Sequence, residues 1–221
     1  MSARYTLIVG TKDWSSWSLR PYLALRATGA PFEEVVIRLR RDTFTGDEIK
    51  RHSKAGKVPI LKIDDGAGRH ALVWDSLAIC ETLAERHPDA ALWPADALVR
   101  AEARSYAAEM HAGFADLRDQ LSMDFARRKP PPELRAATAE QIARVIEAWT
   151  SALARFGHQG GFLFGAFSIA DCMYAPVVSR FVTYGVAVPA SVRAYIDRVM
   201  ALPAMIDWGA AAAKEVADGV A

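Results

Sequence analysis

The sequence predicts an α+β protein in two parts: a βαβαββα unit of about 85 residues, then a domain made of helices alone. Three observations carry this prediction. Strand and helix patterns alternate over the first 86 residues. A Pro- and Ala-rich stretch, HPDAALWPADA at 87–97, interrupts them. Every periodic segment after it repeats at helical spacing. The expected units are residues 1–85, a linker over 86–97 and a helical domain over 98–221.

Residues 5–9 (YTLIV) are β-branched and aromatic, which favours a strand. Residues 10–14 form a loop. In residues 18–28, Leu19, Tyr22, Leu23 and Leu25 recur at helical spacing, and Gly29 closes the helix. A second strand is expected over 32–39 and a short helix over 47–53. VPILKI at 58–63 and residues 71–74 read as two strands joined by the turn DDGAG at 64–68. An amphipathic helix over 77–86 ends before Pro88. One long helix is expected over 98–128, with Tyr106, Met110, Phe114, Leu117 and Leu121 on one stripe, stopped by Pro130–Pro132. Helices over 133–156, 168–184 and 192–202 follow, with a Gly-rich loop at 157–167 and a short Ala-rich segment at the end.

The 221 residues are 52% hydrophobic and 24% charged, the balance of a globular chain rather than a disordered one. A net charge of +1 argues against a nucleic-acid clamp. Cys80 and Cys172 have no CxxC partner and no His cluster at zinc spacing, so they read as buried hydrophobes, and no metal is expected. No apolar run approaches the ~18 residues of a membrane span, and the first residues do not read as a signal peptide, so a cytoplasmic location is expected. The charge is uneven. Residues 1–84 carry 13 Lys+Arg against 10 Asp+Glu, and residues 38–57 carry 7 against 3, an excess suited to attracting a small anion.

Three segments of the first domain point to one site. Ser15-Ser16-Trp17-Ser18 opens the first helix, where hydroxyls cap backbone N–H groups and where the positive helix end also gathers anions such as a thiolate. Lys57-Val58-Pro59-Ile60 places a proline at the start of a strand. A cis Val58–Pro59 bond would turn the N–H and C=O of Val58 outward to pair with a peptide-like ligand. Asp75-Ser76 opens the third helix, as a cap or as a receptor for an amino-acid head, with Asp75 on the ammonium and Ser76 on the carboxylate.

Together these motifs resemble the glutathione S-transferase family. SSWSLR at 15–20 is similar to the SSCSxR motif of its zeta class, the class of maleylacetoacetate isomerase. KVPIL at 57–61 and DSLAI at 75–79 resemble the family's VP strand and acid-Ser-x-Ala-Ile motif. FLFGAFSIADCMYAPVV at 162–178 is similar to its FLxG…(S/T)xAD segment. The resemblance implies a thioredoxin-like N-terminal domain and glutathione as cosubstrate. It implies Ser15 as the catalytic hydroxyl and Ser16 as its alternate. It implies Val58 and Pro59 on the cysteinyl backbone, Asp75 and Ser76 at the γ-glutamyl end, Trp17 and Ser18 as further glutathione-binding residues, and His52 and Lys57 toward the glycyl carboxylate. Trp17 departs from the zeta motif, which has Cys there.

The pocket for a small hydrophobic electrophile is expected between the domains, with Trp14, Met110, His111 and Phe114 as candidates; core packing is the alternative for the Met/aromatic stripe. Ser168 and Asp171 read as a capping box. The implied activity is glutathione transfer in detoxification. The alternatives are glutathione-dependent cis–trans isomerisation of the maleylacetoacetate type, or a non-catalytic glutathione-binding module. A homodimer is implied by the resemblance.

Overall fold

The computed structural model describes residues 3–39 and 44–221, so residues 40–43 of the basic 38–57 segment lie outside the described residues. Strands β1 (Arg4–Gly10), β2 (Phe32–Ile37), β3 (Ile60–Asp64) and β4 (His70–Trp74) form one sheet in the order β2-β1-β3-β4. β1 and β2 are parallel and need a crossover, which α1 (Ser16–Thr28) supplies. The other two pairs are antiparallel. The turn between β3 and β4 is set by Asp64 and Asp65, whose Oδ1 atoms accept the N–H of Gly66 and Ala67 at 2.9 and 2.8 Å. With α2 (Phe44–His52) and α3 (Ser76–Arg86) this half is the expected βαβαββα unit.

Strand alternation divides the sheet between two cores. Tyr5, Leu7, Val9, Leu61 and Ile63 face α1 and α3, while Ile8, Ile37 and Ile60 face Ile49 of α2. Leu19, Leu23 and Leu25 of α1 are fully buried, and each contributes about 1.5–3 kcal/mol. The second half consists of α4 (Ala97–Ala112), α5 (Ala115–Gln120), α6 (Ala136–Phe156), α7 (Ile169–Thr183), α8 (Ala190–Met200) and α9 (Pro203–Ala217). α7 is buried along most of its length, against α1 on one side and α4 on the other, so the larger core runs through both halves. Cys80 and Cys172 are both free and fully buried in it.

The long helix expected over 98–128 is broken. Gly113 is extended (φ −99°, ψ −169°) and Phe114 is left-handed (φ 60°), which ends α4 and starts α5 in a new direction. Gly113 is required there, because a Cβ would lie 2.8 Å from the carbonyl oxygen of Glu109. Apolar spacing does not reveal the break, since Met110, Phe114, Leu117 and Leu121 are all buried in either arrangement. After α5 the backbone bonds to other elements instead of to itself. Arg180 Nε donates to Leu121 C=O, Thr183 Oγ1 to Asp124 C=O and Ala126 N–H to Asp13 Oδ1. Among the described residues, no helix is long and apolar enough to cross a membrane, and no group of three or more His, Cys, Asp or Glu could hold a metal.

Candidate active site

Strand register brings the three sequence motifs to one place. Ile8, Ile60 and Trp74 lie side by side across β1, β3 and β4. The chain therefore leaves β1 toward Ser15, enters β3 from Val58 and leaves β4 into Asp75 at the same end of the sheet.

Ser15 precedes α1, and its side chain does not cap the helix. It is 5% exposed, its N–H donates to Thr11 C=O, and its Oγ donates to Ser18 Oγ at 2.7 Å. Ser18 Oγ also accepts the N–H of Gly10 at 3.0 Å, so this fully buried hydroxyl ties the end of β1 to Ser15. Ser18 reaches a ligand only through Ser15. Ser16, the first residue of α1, is nearly buried.

The loop that presents Ser15 is held from the far end of the chain. Trp208 Nε1 of α9 donates to Lys12 C=O at 2.9 Å, and Asp13 N–H donates to Glu215 Oε2 at 3.0 Å. The fully buried Asp13 carboxylate accepts from Ala126 N–H and pairs with Arg127 at 3.2 Å. Its carbonyl accepts from Phe125 N–H at 3.1 Å. Lys12 pairs with Glu34 at 2.6 Å and lies over the rings of Tyr22 and Trp208.

The Val58–Pro59 peptide is cis. Among the described residues, no backbone group pairs with the N–H or C=O of Val58. Asp75 has a positive φ of 78°, rare for a residue with a side chain. Its Oδ1 caps α3 by accepting from Leu77 and Ala78 N–H, and its Oδ2 lies 3.1 Å from His111 Nε2. Ser76 is buried beside it and accepts a long bond, 3.4 Å, from the buried Arg20. His52 ends α2 with Nδ1 3.4 Å from Lys62 Nζ, and Lys57 is exposed between that helix and Val58.

Trp17, half-buried on α1, is surrounded by three basic side chains. Arg20 lies over its ring at 4.3 Å, Arg118 at 4.8 Å, and His111 meets it edge-on at 5.3 Å. Arg118 reaches this position because of the α4–α5 break, where its guanidinium donates to the carbonyls of Met110 and His111 and so caps α4. A cavity of about 570 Å³ opens alongside, lined by Trp14, Leu39, Ser122, Met123, Asp124 and four cations, Arg118, Arg127, Lys129 and Arg180. Arg127 and Lys129 are paired with Asp124. Arg118 and Arg180 donate to backbone carbonyls, and no ion pair is recorded for either among the described residues. Burial and mutual repulsion pull these guanidinium groups down: Arg20 to about 9 and Arg180 to about 10, still cationic at neutral pH. A larger hollow of about 800 Å³ lies on the outer face of the sheet at the opposite end of β1, near Arg4, Thr6 and Lys62, away from Ser15.

Residues 14–86 match the family model of the glutathione S-transferase N-terminal domain, and residues 132–208 match that of its C-terminal domain, about two-thirds of the chain together. The chain belongs to the glutathione S-transferase family. Among curated relatives, maleylacetoacetate isomerase of Pseudomonas aeruginosa is 29% identical over 202 residues, 86% of this chain and 89% of the relative. Maleylpyruvate isomerase of a Ralstonia species is 29% identical over 168 residues, 74% and 77% of the two chains. A Burkholderia glutathione transferase homologue, crystallised with bound glutathione, superposes with a TM-score of 0.70 at 25% identity, covering 96% of this chain and 98% of the other.

In this transferase chain Ser15, Trp17, Val58, Pro59, Asp75 and Ser76 converge, and Trp14 and His111 adjoin them. Met110 (0% exposed) and Phe114 (7%) are core residues that do not line the 570 Å³ cavity, because their apolar stripe packs into the core that runs through both halves. Sequence reading missed the arginines. Arg20 stands one helical turn after Trp17 within SSWSLR, a visible signal. Arg180 is a lone cation in the apolar run VVSRFV, also visible. Arg118 carries no local signal, since its place depends on the break.

Proposed function

We propose that this transferase activates the thiol of glutathione with Ser15 and adds it to a small electrophile held beside Trp14. The convergence of Ser15, Val58 and Asp75-Ser76 at one end of the sheet carries this reading. The unpaired N–H and C=O of Val58 suit the cysteinyl backbone, Asp75 suits the ammonium, and the start of α3 with Ser76 suits the γ-glutamyl carboxylate. The family resemblance offers His52 and Lys57 for the glycyl carboxylate.

The Ser15 hydroxyl switches roles by rotation alone. With Ser18 donating to Ser15, the chain Gly10 N–H, Ser18 O–H, Ser15 O–H ends on the sulfur, each bond polarising the next. A hydrogen bond to a charged acceptor contributes about 1.5–3 kcal/mol, which lowers a thiol pKa from ~8.5 by ~1–2 units. The thiolate then attacks the electrophile and forms a thioether, expelling halide from an aryl halide, or leaving the adjacent carbon to take a proton when it adds across a double bond.

A second reading is favoured by the arginines of the cavity. Arg118 and Arg180, which have no acid partner among the described residues, suit an electrophile that carries carboxylates better than a purely hydrophobic one. On an unsaturated dicarboxylate, the thiolate adds to the double bond, the resulting single bond rotates, and elimination restores both the double bond and glutathione. This is the chemistry implied by the isomerase relatives. Turnover of an aryl halide and of a maleyl dicarboxylate tests both readings. Arg118→Gln is expected to lower kcat/KM for the dicarboxylate about tenfold and for the neutral halide less than twofold. Equal losses on both would remove the carboxylate role, and glutathione binding without turnover of either would leave a binding module.

We assign the protein to the cytoplasm, a reducing compartment that suits its two free buried cysteines, and a detoxifying role follows from the proposed conjugation of an electrophile. We also assign it a homodimeric state in which the exposed Leu72 and Trp74 of edge strand β4 are covered by the second copy.

A further inference from the structure

Five side chains close a circuit around the start of α3. Ser76 accepts from Arg20, Arg20 stacks on Trp17, Trp17 meets His111 edge-on, and His111 reaches Asp75, the neighbour of Ser76. Ser76, Arg20 and Trp17 are fully or partly buried. The His111–Asp75 link is the accessible one, with side chains 26% and 42% exposed. Of the five residues of the circuit, His111 alone comes from the helical half of the chain, from the last turn of α4.

The tautomer of His111 follows from its surroundings. Nε2 lies 3.1 Å from a carboxylate oxygen of Asp75, which makes it the nitrogen that carries the proton in the neutral ring. Nδ1 is buried with no partner among the described residues. A proton added there would find no acceptor and would lie close to two cations. The charged groups facing the imidazole are Asp75 at the start of α3, Arg20 of α1 and Arg118 of α5. Burial is the largest influence on its pKa, and with the two arginines it outweighs Asp75, so the imidazole titrates below its ordinary 6.5.

We propose that His111 is a positioning residue of the glutathione site, holding Asp75 for the γ-glutamyl ammonium when neutral and opposing that ammonium when protonated. This rests on the reading of Asp75 as the ammonium receptor. Asp75 Oδ1 is occupied by two backbone N–H groups, so the ammonium must use Oδ2, the oxygen that His111 orients. A neutral donor on Oδ2 fixes its direction and leaves a lone pair free. An imidazolium there neutralises the acid and repels the incoming cation. Glutathione binding is then sensitive to acid in a range where neither the ammonium nor the carboxylates of the ligand titrate.

The test is calorimetric binding of S-methylglutathione, whose blocked thiol cannot ionise, from pH 5 to 7.5. Wild-type affinity is expected to fall about tenfold on acidification, with the midpoint below pH 6.5. His111→Gln, a neutral donor of similar reach, is expected to keep the affinity seen at pH 7.5 and to lose the acid limb. His111→Ala is expected to lose both the limb and part of the affinity at pH 7.5. An acid limb that persists in His111→Gln, or a wild type with no limb, overturns the proposal. A wild type that fails to bind S-methylglutathione at any pH overturns the glutathione reading itself and this inference with it.

Discussion

Replacing Ser15 by alanine is expected to raise the pKa of enzyme-bound glutathione by about 1–2 units and to lower kcat/KM at pH 7 by about 10–100-fold. Thiolate absorbance of the binary complex, titrated from pH 5 to 10, measures the first quantity directly. The structure adds a second arm. Ser18 is fully buried between Gly10 N–H and Ser15 Oγ, so it touches no ligand and acts only by holding and polarising Ser15. Ser18→Ala is therefore expected to shift the thiol in the same direction by a smaller amount, with little change in the affinity for glutathione. Ser16→Ala is the control, since the hydroxyl of Ser16 belongs to no such chain. If Ser16→Ala moves the titration and Ser15→Ala does not, the donor is Ser16 and the Gly10–Ser18–Ser15 chain serves only to shape the loop.

Asp171→Ala is expected to be the most destabilising of these changes, by about 3 kcal/mol, while wild-type chemistry survives in the fraction that folds. The Asp171 carboxylate is fully buried at the start of α7, and it accepts from Leu163 N–H, Ser168 N–H and Ser168 Oγ at 3.1, 2.8 and 2.9 Å. Alanine would strand those donors inside the core. For a domain of this size the loss corresponds to a fall in Tm of about 6–12 °C, readable by thermal melting. A wild-type melt with lost turnover would instead make Asp171 part of the reaction. The same group has a pH signature. Burial outweighs the donors and holds its pKa up to about 6, above the ordinary 3.8. The folded state therefore binds this proton more tightly than the unfolded chain. The contribution is full below about pH 3.8 and is lost as pH rises through about 6. The stability gap between wild type and Asp171→Asn, measured by denaturant melts, is expected to shrink from pH 4 to pH 7. A gap that widens would show that the three donors win over burial.

Legibility in the sequence followed the range of the interactions. The βαβαββα order could be read because each strand is a short β-branched run bounded by its own turn residues, as with DDGAG after VPILK. The convergence of Ser15, Val58 and Asp75 could be anticipated because each stands at the junction of a strand and a helix. What escaped depended on geometry between distant segments. A helix interrupted at Gly113 keeps the apolar spacing of an uninterrupted one, so the spacing left Met110 and Phe114 open between pocket and core and gave no sign of where Arg118 would stand. Trp17 was legible only as a departure from a motif. Its place between Arg20 and Arg118 joins one residue three positions away to another about a hundred positions away.

The anchoring of Lys12 and Asp13 has a consequence for how the molecule comes into being. Trp208 and Glu215 lie within the last 14 residues of the chain, and they fix the loop that carries the hydroxyl of Ser15. During synthesis the first 86 residues emerge long before those partners, so the sheet has time to assemble while its loop still lacks its final shape. Contacts separated by about 200 residues are among the last that a folding chain can close. Thiol activation is therefore expected to appear only once α9 has docked. A nascent or C-terminally trimmed chain would carry the motif without the reactivity, and no partly made copy would hold an activated nucleophile.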